Sequence, residues 1–224
     1  MAILLHIDTA TEFAFVGFSK DGGLLAEKEN TEQQQHASFL QPAIQALCNQ
    51  LNITLSQIDA VVVSNGPGSY TGLRVGLASA KGICFALQKP LITLNTLQIM
   101  AHAAKTAYPD AGRFCPMIDA RRMEVFTAVF NRELELVIPA QPMVLEADSF
   151  LDILQDQQVV FTGSGQEKFR QVCQHPNAHF ATLRHSVADM ILLAEQAFVN
   201  QQFADLAYAE PFYSKAFYSA PPKK

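Results

Sequence analysis

Two apolar runs in this chain end in an aspartate: Ile7-Asp8-Thr9 and Ile118-Asp119-Ala120. If both runs are strands, Asp8 and Asp119 close equivalent strands and face each other across a cleft. Two carboxylates so placed suit a hydrated magnesium ion beside the phosphates of a nucleotide. Thr9 and Thr11 are then candidate donors to those phosphates. The competing reading is that each aspartate caps its own turn. For Asp119 this second reading is favoured, because Arg121 and Arg122 stand where a turn hugging a phosphate would want glycine. Arg121 could also neutralise Asp119 directly.

A second candidate is the stretch Ser64-Asn65-Gly66-Pro67-Gly68-Ser69-Tyr70-Thr71-Gly72-Leu73-Arg74-Val75-Gly76. Glycine-rich turns before helices cradle anions. A P-loop needs Lys-Ser or Lys-Thr after its last glycine, and Gly72 is followed by neither. The dinucleotide fingerprint fails too, since its third glycine is one residue late and Pro67 separates the first two. The preferred reading is a tight turn, then a helix capped by Ser69 whose face of Gly72, Gly76 and Ala80 admits another backbone. The histidines build no metal site. His36 lacks a partner four residues on, where Leu40 stands, and His175, His179 and His185 share no element. No Ser-His-Asp or Cys-His set is recognisable. Cys48, Cys84, Cys115 and Cys173 lie far apart in apolar patterns and read as buried thiols.

The elements that must position these residues repeat. Residues 3–7, 13–18 and 24–29 read as strands, with a hairpin turn at Lys20-Asp21-Gly22-Gly23. Residues 37–51 have a helical period, with Pro42 kinking the helix or marking its first turn. A strand at 58–63, the glycine helix at 70–87, a strand at 91–94 and a helix at 96–107 follow. Breakers at 109–112 mark a boundary, giving lobes 1–107 and 108–224. The order then recurs: strands at 114–118, 123–130 and 134–138, a helix at 147–154, a strand at 159–162, a helix at 166–173 and a short strand at 178–181. Last comes an amphipathic helix capped by Ser186. A repeated order with little identity predicts a duplicated α/β architecture of two mixed sheets. Residues 209–213 are expected to dock back on the body, and 219–224 to form a loose tail.

The net charge of -5, with no long basic run, makes the chain alone a poor ligand for nucleic acid. Residues 1–7 are too short for a signal peptide, and no apolar run approaches a membrane span, so a soluble cytoplasmic protein is expected. Helix 37–51 carries Phe39, Leu40, Ala43, Ile44, Ala46 and Leu47, and the glycine helix Leu73, Leu77, Ile83, Phe85 and Leu87. A helix lying on a sheet needs one apolar stripe, and these have more. Either the lobe closes over them or the surplus meets another chain.

Ile7-Asp8-Thr9-Ala10-Thr11, the block Asn65 to Arg74, Ile118-Asp119-Ala120-Arg121 and Ala209-Glu210-Pro211 together resemble the bacterial TsaB (YeaZ) family. The resemblance covers nearly the whole chain, and its central block is highly specific. It implies the ASKHA fold, two ribonuclease-H-like lobes shared with actin and sugar kinases. It implies a non-catalytic partner of TsaD, the enzyme that transfers threonylcarbamoyl to adenine in ANN-decoding tRNAs, with TsaE as a further partner. TsaD carries a histidine pair for metal on the helix that here begins near His36. This chain has Leu40 at the second position and no D-x-G at Asp119, so no catalysis, metal or cofactor is expected of it. In the family the first two helices pair with those of TsaD or of a second TsaB as a four-helix bundle. That implies an interface through Phe39, Leu40, Ala43, Ile44, Leu47, Leu73, Arg74, Gly76, Leu77 and Ala80, with Asp8, Thr9, Thr11 and Asp119 left as a vestigial nucleotide cleft. Leu73→Glu or Ile44→Glu is then expected to break the complex and spare the fold. A homodimer through the same face is a further expectation, with tRNA met only through the complex and no membrane association. The alternative is an enzyme acting alone, an ASKHA phosphotransferase or a metallopeptidase, which tight binding of ATP-magnesium or zinc would reveal.

Overall fold

The computed structural model describes residues 2–213. The tail expected at 219–224 lies outside them. Strands β1 (Ile3–Asp8), β2 (Ala14–Lys20) and β3 (Gly23–Asn30) form an antiparallel meander. Helix α1 (His36–Leu51) leads to β4 (Ala60–Ser64), which lies parallel to β1, and α2 (Tyr70–Leu87) leads to β5 (Leu91–Leu94) beside β4. The sheet order is β3-β2-β1-β4-β5.

After α3 (Thr96–Ala107) the order recurs. It runs through β6 (Arg113–Asp119), β7 (Glu124–Phe130), β8 (Leu136–Val144), α4 (Leu151–Asp156), β9 (Val159–Thr162), α5 (Gln166–Val172), β10 (Ala178–Ala181) and α6 (Val187–Val199). The second sheet is ordered β10-β9-β6-β7-β8, the same topology as the first. Two such lobes in tandem are the ASKHA architecture.

Strand β1 is buried from Leu4 to Asp8 because both faces of its sheet are covered. Leu5, Ile7, Val61 and Val63 meet α1 and α2 through Leu40, Ile44, Leu47, Leu77 and Ala80. Leu4, Ala60, Val62 and Ile92 meet Ile99 of α3 and Met190, Leu193 and Ala194 of α6. Strands buried on both faces lose the period-2 alternation, which is why β1 and β4 read as unbroken apolar runs.

Three details depart from the sequence reading. Pro42 does not start α1; it sits inside the helix, on its exposed side. The one backbone hydrogen bond it removes leaves a carbonyl that water can reach. The third strand of the second lobe is β8, beginning two residues later than expected and running through Pro139 and Pro142. It is an edge strand, where a missing N–H costs no ladder bond on the open side. The short helix expected at 147–154 forms only from Leu151, after a left-handed Phe150.

The lobes also interleave. Helix α6 follows the second sheet in sequence but packs on the first. Helix α3 precedes the boundary but inserts Leu97, Met100, Ala101 and Ala104 against Phe114, Phe130 and Val160 of the second. Residues 203–213 form a strap on the first lobe. Ala204 bridges Leu91, the Lys81 ammonium donates to the carbonyls of Ala207 and Ala209, and Phe212 N–H donates to Asn65.

Candidate functional site

Asp8 is the last residue of β1 and its side chain is fully buried. Its Oδ1 accepts from Ser64 Oγ at 2.6 Å and from Ala10 N at 2.8 Å. Its Oδ2 lies 2.8 Å from His185 Nε2. Ser64 ends β4, and His185 lies in the connector that carries the chain from β10 to α6. Burial alone would raise the carboxyl pKa, but the bonds from His185, Ser64 and Ala10 outweigh it and hold Asp8 below its usual range. Burial likewise works against charge on His185, and Asp8 overrides it, so the imidazole is held above its ordinary value. Both shifts favour the form in which the carboxylate and the imidazolium are charged together.

Thr9 and Thr11 have no hydroxyl to spare for a phosphate. Thr9 Oγ1 donates to the Gly72 carbonyl at 2.7 Å, and Thr11 Oγ1 bonds Phe13 within its own turn. The glycine turn and helix α2 press against this loop. A Cβ on Gly68 would collide with the Ala10 carbonyl, and one on Gly72 with the Thr9 carbonyl. Ser69 N–H donates to Ala10 O at 2.7 Å, and Ser69 Oγ caps the helix by accepting from Gly72 N. The backbone that the small-residue face admits is thus the chain's own Thr9–Ala10 segment. His36 serves the same loop. Its Nε2 lies 3.1 Å from the Thr11 carbonyl, while Nδ1 meets Asn30 at 3.0 Å.

Asp119 is partly exposed. It pairs with Lys168 Nζ at 2.7 Å and accepts the Arg121 backbone N–H at 2.6 Å. Burial opposes ionisation there, and Lys168 with the Arg121 N–H more than offsets it, so the pKa falls below the usual value. The neutralising side chain is that of Lys168 on α5, while Arg121 supplies only a backbone donor. Arg121 and Arg122 both adopt positive φ, 74° and 49°, a conformation that glycine would adopt with less strain. Asp119 therefore caps its own turn.

A cleft of about 910 Å³ opens between the lobes. Thr11, Glu12 and His36 line it on one side, the start of α2 lies at its floor, and Asp119, Arg121 and Ser164 line the other. Asp8 is not among its lining residues, so the two aspartates do not flank one space. Magnesium between them does not fit, because every Asp8 oxygen is taken and the lone partner across the cleft is already paired. Among the described residues no three His, Cys, Asp or Glu converge on a point that could hold a metal ion.

The expected interface residues also need correcting. Leu40, Ala43, Ile44, Leu47, Leu73, Gly76, Leu77 and Ala80 are buried in the chain's own core, and Phe39 is half-buried against it. A Cβ on Gly76 would collide with Thr9 Oγ1. Arg74 is exposed, but its Nε donates to Tyr213 Oη at 3.0 Å and its guanidinium lies 3.9 Å from the Tyr70 ring centroid. Most of the named residues are therefore not surface residues in this chain, because a helix's most apolar stripe goes to its own sheet first. The outward side presents a groove of about 530 Å³ between α1 and α2, lined by Gln41, Leu55, Ala78, Gly82, Ile83 and Ala86 among others. Gly82 faces open space, and Phe85 beside it is 71% exposed. His185 and Lys168, which decide the chemistry of both aspartates, carry no sequence signal. They are 177 and 49 residues from their partners.

The family model described as "TsaD: tRNA N6-adenosine threonylcarbamoyltransferase" matches residues 23–216. A Bacillus subtilis (strain 168) protein named tRNA threonylcarbamoyladenosine biosynthesis protein TsaB is 31% identical over 176 residues, 76% of this chain and 75% of its own length. The Escherichia coli (strain K12) protein of that name is 35% identical over 130 residues, 58% of this chain and 55% of its own length. The crystal structure of YeaZ from Pseudomonas aeruginosa superposes with a TM-score of 0.80 at 27% identity, covering 95% of this chain and all of that one. Fold, motif order and these matches agree: the chain belongs to the TsaB (YeaZ) family, within the wider group that the threonylcarbamoyltransferase model describes.

Proposed function

We propose that this chain is a non-catalytic subunit in the synthesis of threonylcarbamoyladenosine in tRNA, one that grips TsaD through the outer face of α1 and α2 and holds it in its active shape. The observation that carries this reading is the apolar groove between those helices, with Gly82 open at its surface and Phe85 exposed beside it. A groove bordered by Ala78, Gly82 and Ala86 lets a partner helix approach closely, and Ile83 and Leu87 supply apolar area. The match to the TsaD model adds support. Two chains of one fold can join related faces in a pseudo-twofold contact. The same face suits a second copy of this chain when TsaD is absent.

The spent hydroxyls of Thr9 and Thr11 and the paired Asp8 and Asp119 favour an activator over an enzyme acting alone. With a net charge of -5, the chain meets tRNA only through the complex, and TsaE joins that complex. No helix among the described residues is long and apolar enough to cross a membrane. The test is reconstitution of tRNA threonylcarbamoylation by TsaD and TsaE with wild-type chain, with Ala78→Glu and Ala86→Glu, and without the chain. Stimulation by the wild type and its loss in folded variants that no longer copurify with TsaD is the expected result. Full stimulation by both variants would remove the groove from the mechanism, and equal rates without the chain would remove the function.

A further inference from the structure

The conflict between fold and site at Asp8 has a specific cause. An acidic residue at the end of β1 would suit a bound cation if it were open to the cleft. Here that carboxylate has no solvent contact and is fully ligated from within: Ser64 and Ala10 on Oδ1, His185 on Oδ2. A buried carboxylate is costly unless hydrogen bonds or a positive group offset its lost hydration. The ionisable side chain bonded to it here is His185.

The connector that carries His185 is held against the first lobe. The Arg184 guanidinium lies 3.7 Å from the Phe13 ring centroid and pairs with Glu29 at 3.1 Å. The His185 ring meets Phe15 edge-on at 5.6 Å, and Val187 N–H donates to Glu27 at 3.2 Å. A Cβ on Gly17 would crowd Val187, so the strand behind the connector is kept bare to seat it. These contacts leave the imidazole one place to go.

We infer that His185 is a built-in cation, permanently seated on Asp8 in the charge-balancing role that a bound metal–nucleotide would otherwise fill. The consequence is that the β10–α6 connector is tied to the end of β1 with no ligand between them. The charged groups around the imidazole support the assignment. Besides Asp8, the carboxylates of Glu12 and Asp189 bias it toward the protonated form, and the Arg184 charge beside it in the connector is turned to Glu29. The surface proposed for TsaD, the outer face of α1 and α2, does not include His185 or Asp8.

The test begins on the unaltered full chain. Nitrogen-15 NMR of the His185 ring at neutral pH is expected to show both nitrogens protonated; a neutral tautomer would overturn the inference. His185→Gly is then expected to lower the melting temperature, and millimolar imidazole to recover most of the loss. Pyrazole, which has the same shape but stays neutral, is expected to recover little. Equal recovery by both would reduce His185 to a space-filler and overturn the assignment. If His185→Gly does not fold, His185→Gln serves in its place. It keeps a donor toward Asp8 without the charge and is expected to melt lower than the wild type by about 5 °C or more. An unchanged melting temperature in His185→Gln would count against the built-in cation. Magnesium-ATP added to the wild type is expected to leave the melting temperature where it is. A rise that Asp8→Asn abolishes would show that the site takes a metal–nucleotide after all.

Discussion

At Gly72 a single hydrogen in place of a side chain lets α2 lie against the Thr9 carbonyl, whereas ten residues on Gly82 touches nothing. The two glycines should therefore answer one substitution oppositely. Gly72→Ala is expected to cost about 3 kcal/mol by forcing helix and loop apart. Gly82→Ala is expected to be neutral or to stabilise by up to about 1 kcal/mol, through helix propensity alone. Urea denaturation of both variants checks this, and equal effects would contradict the packing described. Titration belongs to the same scale. His6 is buried against Ser19 and its pKa is lowered to about 3 by burial, so the unfolded chain takes up a proton near 6.5 that the folded chain refuses. Its effect is to weaken the fold as pH falls below about 6.5. His185 acts with the opposite sign: its stabilisation is complete below its ordinary 6.5 and is lost as pH rises through its raised folded value. The Asp8 contribution is complete above its ordinary 3.8 and is lost as pH falls through its lowered folded value. Unfolding midpoints measured from about pH 4 to about pH 9 should therefore peak near pH 6.5. In His6→Asn the acid limb should flatten.

Helix α2 has a second, outward side of small and apolar residues besides the inner face with which it and α1 cover the sheet. The inner one closes the core through Ile44, Leu47, Leu73 and Leu77, all nearly or fully buried. Glutamate at Ile44 or Leu73 places a charge in that core and is expected to cost more than about 4 kcal/mol, enough to unfold a domain of ordinary stability. Circular dichroism of either variant should show it. These substitutions are therefore no test of partner binding. Ala78→Glu and Ala86→Glu, at exposed positions on the outer side, are expected to leave the melting temperature within a few degrees of the wild type while abolishing copurification with TsaD. The sequence showed more apolar residues on these helices than one stripe needs. It could not assign them to faces, because Leu77 and Ile83 are chemically alike and differ only in how deeply the fold buries them.

The whole molecule is held together by elements that ignore the order of the chain. Helix α3 spans both sheets, α6 returns to the first, and the 203–213 strap closes over α2. Lys81→Met removes the ammonium that binds two strap carbonyls. It is expected to speed amide exchange across 203–213 with little loss of global stability, since the Ala204–Leu91 bridge and the core beneath remain. Exchange no faster than in the wild type would mean that the strap is held by its apolar contacts alone.

Local chemistry let the sequence by itself determine most elements: the apolar runs of β1 and β4, the glycine helix from Tyr70 to Leu87, the Ser186 cap and the duplicated order are all written in neighbouring residues. The motif blocks carried the family in the same way. What only the tertiary structure decided lies between residues far apart in the chain. His185 on Asp8, Lys168 on Asp119, the Thr9 backbone filling the small-residue face and the choice of inner or outer helix face all depend on which groups the fold brings within a few ångströms. The pairing of both carboxylates was hidden because their partners are 177 and 49 residues away, and separation along the chain carries no trace of a contact made in space.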